Sequence, residues 1–355
     1  MSIRVFIIDD SAVVRKVLTE MLEVVAGIEV IGSAQDPIFA LAKMEKDWPD
    51  VITLDVEMPR MDGITFLKKI MKERPTPVVM CSTLTEAGSK TSVQALSLGA
   101  IDVVAKPKAN LKKSLPEASR DLVSAIRVAA KANINCAKVK PITPIIKVPE
   151  KLNADAMLSK GGHRNVKNSG AMIAIGASTG GTQALEAVLT ALPANTLPIL
   201  IVQHMPEHFT RTFAKRLNEL CRVDVKEAED NDALLPGRVL IAPGGKHMML
   251  YTTQFGASVQ VKDGPLVSRH KPSVDVLFRS VAKYAGKNAL GIILTGMGDD
   301  GARGMKELHD TGAQTIAQNE ATCVVYGMPK EAVKLNAIDH IVSLNKVPEL
   351  IVCHK

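Results

Sequence analysis

The chain has 355 residues, which is long for a single core and favours two domains. Its apolar fraction is 46%, and no apolar run approaches the roughly 18 residues of a membrane-spanning helix, so an integral membrane segment is not expected. The net charge of +7 lies almost entirely in residues 121–169, which argues against a nucleic-acid-binding face on a folded domain.

The first part of the chain alternates predicted strands and helices five times. Several of the strands are nearly continuous in Val and Ile, which is typical of strands buried on both faces. This alternation predicts an α/β fold with a five-stranded parallel sheet and helices on both faces. The predicted strands are 4–10, 28–34, 51–56, 78–82 and 102–106.

Chemically active side chains follow four of these five strands. Asp9 and Asp10 end the first strand, Asp55 the third, Ser82 the fourth and Lys106 the fifth. Parallel strands end at one edge of the sheet, so these groups are expected to converge there. Carboxylates together with phosphate and water oxygens suit Mg²⁺, and a carboxylate beside the metal can accept a phosphoryl group.

With this set of residues, the segment 3–125 resembles the receiver domain of bacterial response regulators, which has a flavodoxin-like fold. The resemblance implies that a histidine kinase phosphorylates Asp55. It also implies a Mg²⁺ site and two side chains that contact the phosphoryl group. The metal would be held by Asp10, Asp55 and the backbone carbonyl of Glu57 with Asp9 assisting, and the phosphoryl contacts would be Ser82 and Lys106.

The strand–helix rhythm stops between about residues 132 and 168. The run KVKPITPIIKVPEK carries three prolines and four lysines, a composition typical of an extended linker. We therefore predict a receiver domain over 1–125, a basic linker over 126–168 and a second domain over 169–355. Five scattered cysteines with no metal-binding spacing predict reduced thiols and a cytoplasmic protein.

The second domain resumes the alternation, with predicted strands at 172–177, 198–203, 238–242, 290–295 and 314–318. We expect a doubly wound, mostly parallel α/β domain. After the first of these strands, residues 176–180 read G-x-S-x-G, a motif that exposes a serine hydroxyl on a tight strand-to-helix turn. Ser178 is therefore either a nucleophile or simply the N-cap of the next helix.

A nucleophilic serine needs a base, and His204 ends the strand PILIVQH at the same predicted sheet edge. His247, after a Gly-Gly turn, is the second choice. A zinc site made from His204 and His208 is an alternative, but Pro206 between them disfavours a regular helix that would place both on one face.

The loop GIILTGMGDDG supplies the acid that would orient the base. Spacing does not choose between Asp299 and Asp300, and either could cap the following helix. The loop also fits G-x-G-x-x-G through Gly296, Gly298 and Gly301, with Glu320 about 20 residues further on, which is the outline of a dinucleotide site. Two aspartates beside a pyrophosphate disfavour that alternative.

Several segments in order, including IGASTGGTQAL, VQHMP, RHKPSVDVLF and LTGMGDDGARG, resemble the catalytic domain of the CheB family of chemotaxis protein-glutamate methylesterases. The resemblance implies hydrolysis of glutamate methyl esters on chemoreceptors, deamidation of glutamine side chains, and phosphorylation by the chemotaxis histidine kinase CheA. No cofactor is implied for the ester step. The implied site consists of Ser178 as nucleophile, His204 as base, Asp300 as orienting acid, and the backbone N–H groups of Thr179 and Met297 as the oxyanion hole.

The resemblance also implies that the receiver inhibits the esterase and that phosphorylation relieves the inhibition. Two other functional classes are alternatives to a methylesterase regulated by its receiver domain. A response regulator that only binds DNA is disfavoured because residues 170–355 are nearly neutral and show no helix-turn-helix pattern. An inactive scaffold would fail to react with a serine-directed phosphonate.

Overall fold

The computed structural model describes residues 2–82, 86–106, 115–134, 170–253 and 256–354. The chain forms two compact units, Met1–Lys138 and Val139–Lys355. The predicted linker, 126–168, lies mostly outside the described residues, although the last helix of the first unit continues to Ala129. No helix among the described residues is both long and apolar enough to cross a bilayer.

The first unit is built on a five-stranded sheet in which every strand pairing is parallel. Its strand order is β2-β1-β3-β4-β5, so the order reverses between β1 and β3. The confirmed strands are β1 Ile3–Ile8, β2 Ile28–Ala34, β3 Val51–Asp55, β4 Val78–Ser82 and β5 Asp102–Ala105, and the helices are α1 Ala12–Glu23, α2 Pro37–Met44, α3 Gly63–Glu73, α4 Glu86–Ser97 and α5 Leu115–Ala129.

Local sequence explains where these elements begin. All residues of β3 and β4 are buried, as the Val- and Ile-rich runs predict for strands covered on both faces. Ser11, Asp36 and Asp62 cap α1, α2 and α3, since each side chain accepts a hydrogen bond from a backbone N–H in the first turn.

The second unit contains a seven-stranded sheet, again parallel at every pairing. Its order is β14-β13-β12-β6-β7-β9-β8, so the chain moves outward from β6 in one direction and returns to fill the other side from β12. The predicted doubly wound fold is confirmed. The strands are β6 Met172–Ala177, β7 Ile199–Gln203, β8 Asp224–Glu227, β9 Arg238–Ile241, β12 Ala289–Ile293, β13 Gln314–Gln318 and β14 His340–Val342.

The helices of the second unit fill the connections between these strands. They are α6 Gly181–Thr190, α7 Phe209–Leu220, α8 Val274–Tyr284, α9 Ala302–Asp310, α10 Met328–Lys334 and α11 Val347–Cys353. A separate antiparallel hairpin, β10 His247–Thr253 and β11 Gly256–Lys262, packs on α8. Apolar residues of this hairpin, of α8 and of the sheet form one core.

Candidate active site

Ser178 lies in the turn that joins β6 to α6. Its backbone N–H donates to the carbonyl of Thr295 (3.0 Å), and its own carbonyl accepts from Gly181 N (2.7 Å) and Gln203 Nε2 (2.9 Å). The residue that caps α6 is Gly180, in the left-handed region at φ 78°. The serine hydroxyl is therefore not used as a helix cap, and the simple capping interpretation of Ser178 is wrong.

The glycines around this turn are required by close packing. A Cβ on Gly176 would lie 2.2 Å from Cγ1 of Val274, and one on Gly296 would lie 2.7 Å from Cβ of Ser178. Side chains at either position would push the serine turn away from the loop after β12 and from the start of α8. The G-x-S-x-G pattern thus reflects the close approach of three segments around Ser178.

His204 follows β7 directly and lies beside the serine turn. Ala177 and Gln203, the last residues of β6 and β7, are paired across the two strands. Ser178 and His204 directly follow them and therefore lie side by side at this edge of the sheet. The His204 N–H donates to the carbonyl of Ala177 (3.1 Å), and the buried amide of Gln203 donates both to the carbonyl of Ser178 and to that of His204 (3.0 Å). These bonds fix the serine turn and the histidine turn to each other.

The His204 ring is hydrogen-bonded to Asp300 in the loop after β12, with 2.8 Å between Nε2 and Oδ2. Since a carboxylate accepts, Nε2 carries the proton. The other ring nitrogen, Nδ1, is buried and has no hydrogen-bond partner among the described residues. His204 therefore has one nitrogen oriented by an acid and one available to a reacting group.

Asp300 is completely buried, whereas Asp299 is exposed. Asp300 also accepts from Ser273 Oγ (2.8 Å), Val274 N (2.7 Å) and Asp275 N (3.1 Å), the groups at the start of α8. Burial by itself would raise the pKa of Asp300, but the bond from His204 and those from α8 outweigh it and lower the pKa. Asp300 is thus held as an anion at a helix N-terminus.

The backbone N–H groups of Thr179 and Met297 have no acceptor within the described part of the chain. Thr179 is held through its carbonyl, which accepts from Thr295 Oγ1 (3.0 Å), and the side chain of Met297 is 44% exposed. Free N–H groups beside a candidate nucleophile have the chemistry of an oxyanion hole.

The alternatives to His204 as base do not form a site. Both ring nitrogens of His247 are used, since Nε2 donates to the carbonyl of Pro265 (2.8 Å) and Nδ1 accepts from Ser273 N (3.3 Å). His208 is exposed at the start of α7 and takes no part in a metal-like cluster among the described residues. The interpretations of His247 as a base and of His208 as a zinc ligand are wrong.

A further histidine, His270, lies against His204, and sequence patterns do not single it out. Their rings are stacked with centroids 3.7 Å apart and planes 5° from parallel. The two imidazoles and Asp300 have potential ligand atoms within 4.8 Å of one another. Face-to-face rings direct their lone pairs side by side instead of towards a single ion, and the Asp300 oxygens already accept four bonds. The cluster is better described as a hydrogen-bonded stack.

The acidic group of the first unit also converges as predicted. Asp9 and Asp55 are buried, Asp10 is exposed, and the three have ligand oxygens within 4.8 Å of one another. Lys106 Nζ lies 3.0 Å from Asp9 Oδ2 and 2.6 Å from Asp55 Oδ2. Burial raises the pKa of Asp55 to about 6, although the bond with Lys106 lowers it.

The surroundings of this acidic group fit a hard divalent cation. Asp10 and Glu57 line a cleft of about 820 Å³, and Ser82 is buried at the end of β4. Two buried carboxylates share a single lysine, so one negative charge of the buried pair is uncompensated within the described residues. An all-oxygen, anionic donor set of this kind suits Mg²⁺.

Comparisons with known proteins agree on both units. Residues 5–115 match the response regulator receiver domain, and residues 173–351 match the CheB methylesterase family. The chain is 59% identical over 350 residues to protein-glutamate methylesterase/protein-glutamine glutaminase 3 of Shewanella oneidensis, covering 99% of this chain and 98% of that protein. It is also 59% identical over 352 residues to methylesterase/glutaminase 1 of Pseudomonas savastanoi pv. phaseolicola, covering 98% of each.

Among solved structures, the crystal structure of the Thermotoga maritima CheB methylesterase catalytic domain matches with a TM-score of 0.51 and 36% identity. The match covers 52% of this chain and 98% of that one. The names of these relatives describe a methylesterase and glutaminase and mention no dinucleotide. The comparisons therefore do not support the interpretation of the glycine-rich loop after β12 as a dinucleotide site.

Proposed function

Because the chain belongs to the CheB methylesterase family and is a protein-glutamate methylesterase and protein-glutamine glutaminase with a receiver domain, we propose that Ser178, His204 and Asp300 perform the hydrolysis. The observation that carries this proposal is the 2.8 Å hydrogen bond between His204 Nε2 and Asp300 Oδ2. His204 follows β7, the strand paired with β6, and β6 leads directly into Ser178. Nucleophile, base and orienting acid then come from the ends of β6, β7 and β12.

In the first half of the reaction, Ser178 Oγ attacks the carbonyl carbon of the γ-methyl ester while His204 Nδ1 takes the hydroxyl proton. This assigns the base to the nitrogen that Asp300 leaves free. The N–H groups of Thr179 and Met297 stabilise the oxyanion. His204 then returns the proton to the methoxy group, methanol leaves, and a glutamyl ester of Ser178 remains.

In the second half, His204 takes a proton from a water molecule as the water attacks the acyl carbon. His204 then returns this proton to Ser178 Oγ as the bond between the acyl carbon and Oγ breaks, which restores the serine hydroxyl and releases the glutamate side chain as a carboxylic acid that ionises. A glutamine side chain follows the same course, with ammonia as the first leaving group. We propose methylated chemoreceptors as the protein substrate, on the strength of the family.

We further propose that Asp55 is the phosphorylation site and that the chemotaxis histidine kinase CheA is the phosphodonor. Asp10, Asp55 and the Glu57 carbonyl would hold Mg²⁺, with Asp9 assisting. The bound ion would neutralise charge on the phosphoryl oxygens. Lys106, already in contact with Asp55, and Ser82 at the end of β4 would contact the phosphoryl group.

Replacing the nucleophile tests the proposed hydrolysis. Ser178→Ala is expected to reduce methanol release from methylated receptor membranes at least about 10⁴-fold, because the variant has no hydroxyl at the position of the nucleophile. The variant is also expected to lose covalent labelling by a fluorophosphonate. Ser258→Ala, on β11, is the matched control and is expected to retain both. Normal methanol release by the Ser178 variant would contradict the assignment.

A further inference from the structure

We propose that His270 is a positioning residue that fixes the ring plane of His204 and stabilises the positive charge that His204 carries during each proton transfer. This inference rests on the proposed role of His204 as the base. The His270 ring covers one face of the His204 ring at 3.7 Å and is 5° from parallel to it.

The bond to Asp300 alone does not fix the plane of the His204 ring. It holds a single edge, at Nε2, and a ring held at one edge can still rotate about that bond. A flat neighbour against the ring face removes this freedom. The free Nδ1 is then directed by two contacts, one in the ring plane and one across it, and such orientation is worth large factors in rate.

His270 is itself held by a strained turn. Val267 and His270 exchange backbone hydrogen bonds of 3.1 and 2.9 Å, and the two residues between them, Ser268 and Arg269, have φ values of 50° and 70°. The left-handed region is unfavourable for non-glycine residues, and such residues persist there where other contacts hold them in place.

The contact that holds this turn comes from Asp275, a buried side chain on the first turn of α8. Ser268 Oγ donates to Asp275 Oδ2 (2.8 Å), and Asp275 Oδ1 accepts from Gly304 N (2.7 Å). Asp275 therefore fastens the turn to the same helix end that binds Asp300 through its backbone N–H groups. The strained turn and the acid of the triad share one support.

The surroundings of His270 favour the neutral form of its ring. Its Nδ1 lies 2.8 Å from the carbonyl of Ser268, so Nδ1 carries a proton and donates it. Burial and the nearby His204 lower the pKa of His270, against the opposing influence of Asp300, the Ser268 carbonyl and Asp299. A neutral aromatic face attracts a cation, whereas two stacked imidazolium rings would repel each other.

Two replacements in the full-length chain separate the ring face from the anchoring bond. His270→Asn retains a donor for the Ser268 carbonyl but removes the ring, and His270→Phe retains a ring but removes the donor. His340→Asn, at an exposed position on β14, is the matched control. For each protein, kcat and KM for methanol release from methylated receptor membranes, the rate of fluorophosphonate labelling and Tm are measured.

His270→Asn is expected to lower kcat and the labelling rate about 10- to 30-fold with KM unchanged, which is the size of a desolvated cation–π contact. His270→Phe is expected to remain within about threefold of the wild type. An asparagine variant with wild-type kcat would overturn the proposal. Equal losses in both variants, or a raised KM at unchanged kcat, would overturn it as well.

Failure of this proposal is distinguishable from failure of the proposed function. His204→Gln, measured alongside, is expected to abolish methanol release. If His204→Gln retains activity, the assignment of the base is wrong. If it is inactive while His270→Asn behaves as wild type, the base assignment is retained and the role of His270 alone is rejected.

Discussion

At the scale of single residues, Asp300 is the most heavily hydrogen-bonded group of the site. Its carboxylate receives one bond from His204 and three from the Ser273 hydroxyl and the first backbone N–H groups of α8. Backbone donors cannot turn away when their acceptor changes. The charge of Asp300 therefore contributes both to orienting His204 and to holding α8 against the site.

Asp300→Asn is expected to lower kcat roughly 10³- to 10⁴-fold, because an amide cannot accept all four bonds and favours the wrong tautomer of His204. It should also reduce stability at pH 7, since buried donors are left unpaired. The pKa of Asp300 is lowered by folding, so its stabilisation is present above the unfolded value near 4 and is lost as pH falls through the folded value.

The measurement is Tm of the Asp300→Asn and wild-type proteins between pH 3 and 7, together with methanol release. The difference in Tm should be largest near neutral pH and shrink below about pH 4. Asp299→Asn is the matched control, because Asp299 is exposed next to Asp300. If the Asp299 variant shows the larger loss of activity, Asp299 is the orienting acid and our choice is wrong.

Individual residues of the site differ in how far the sequence predicts them. Ser178, His204 and Asp300 each directly follow or lie just beyond a Val- and Ile-rich strand, and parallel strands end at one edge, so their convergence can be anticipated. The choice of Asp300 over Asp299 depends on which one turns towards α8, and spacing does not encode this. His270 reaches the site through a strained turn outside any strand, so no periodic pattern indicates it.

At the scale of elements, the two parallel sheets explain why both sites lie where they do. In the first sheet the strand order reverses between β1 and β3, and Asp9 and Asp55 lie at the ends of these strands. In the second sheet the strand order reverses between β6 and β12, and Ser178 and Asp300 lie in the loops that follow these two strands. Ligand sites in doubly wound folds form at such reversals because the loops diverge there and leave a crevice.

The acidic group at the end of β1 and β3 predicts a stability effect that depends on pH. Folding raises the pKa of the Asp55 carboxyl to about 6, from an unfolded value near 4. The free energy of unfolding therefore declines as pH rises from about 4 to 6, because the unfolded chain loses this proton before the folded chain does. Asp55→Asn removes the unfavourable burial of a charged carboxylate at neutral pH and leaves Lys106 paired with Asp9. The variant should therefore raise Tm of the receiver by a few degrees at pH 7 but not at pH 4.

Thermal unfolding without divalent cations, at pH 4 and pH 7, measures this effect. Added Mg²⁺ should raise Tm of the wild-type receiver and have little effect on Asp55→Asn, since the ion would lose a ligand. Asp102→Asn, on β5, is the matched control: burial also raises the pKa of Asp102 to about 6, but it is not among the acidic residues that group with Asp55. An equal response of both variants to Mg²⁺ would contradict the proposed metal site.

In the second unit, central strands are easier to predict from the sequence than edge strands and hairpins, whereas both edge strands of the first sheet, β2 and β5, are predicted. All ten strands predicted from apolar runs are present, and in the second unit β6, β7 and β12 are fully buried. β8 and β14 have four and three residues and lie at the two edges of their sheet, which leaves too little apolar sequence to detect. The β10–β11 hairpin has mixed burial, so its alternation is weak.

At the scale of the whole molecule, the prediction of an enzyme that carries a receiver domain is confirmed by family membership. This follows from the order of motifs: an acidic phosphoacceptor set first, a basic segment next, and a serine–histidine–aspartate set last. The exact division into 1–125, 126–168 and 169–355 stays a prediction. It is also at this scale that charge is informative, since the two folded parts are close to neutral and the excess lies between them.

Coupling between the receiver and the esterase is the prediction that belongs to the whole chain. We expect phosphorylation of Asp55 to control hydrolysis at Ser178 by shifting an equilibrium from an inhibited state towards an active one. We expect the isolated piece 170–355 to release methanol faster than the unphosphorylated full chain. A family relative of this piece has been crystallised as a separate catalytic domain, which supports its folding alone.

Methanol release by four proteins under one set of conditions tests this coupling: the full chain with and without acetyl phosphate, the piece 170–355, and the full-length variants Asp55→Asn and Ser178→Ala. Acetyl phosphate should raise the activity of the full chain towards that of the piece and leave Asp55→Asn at its basal rate, because that variant has no phosphoacceptor. Ser178→Ala sets the background. If the piece is no more active than the unphosphorylated chain, inhibition by the receiver is rejected, and phosphorylation must then act by improving the esterase itself.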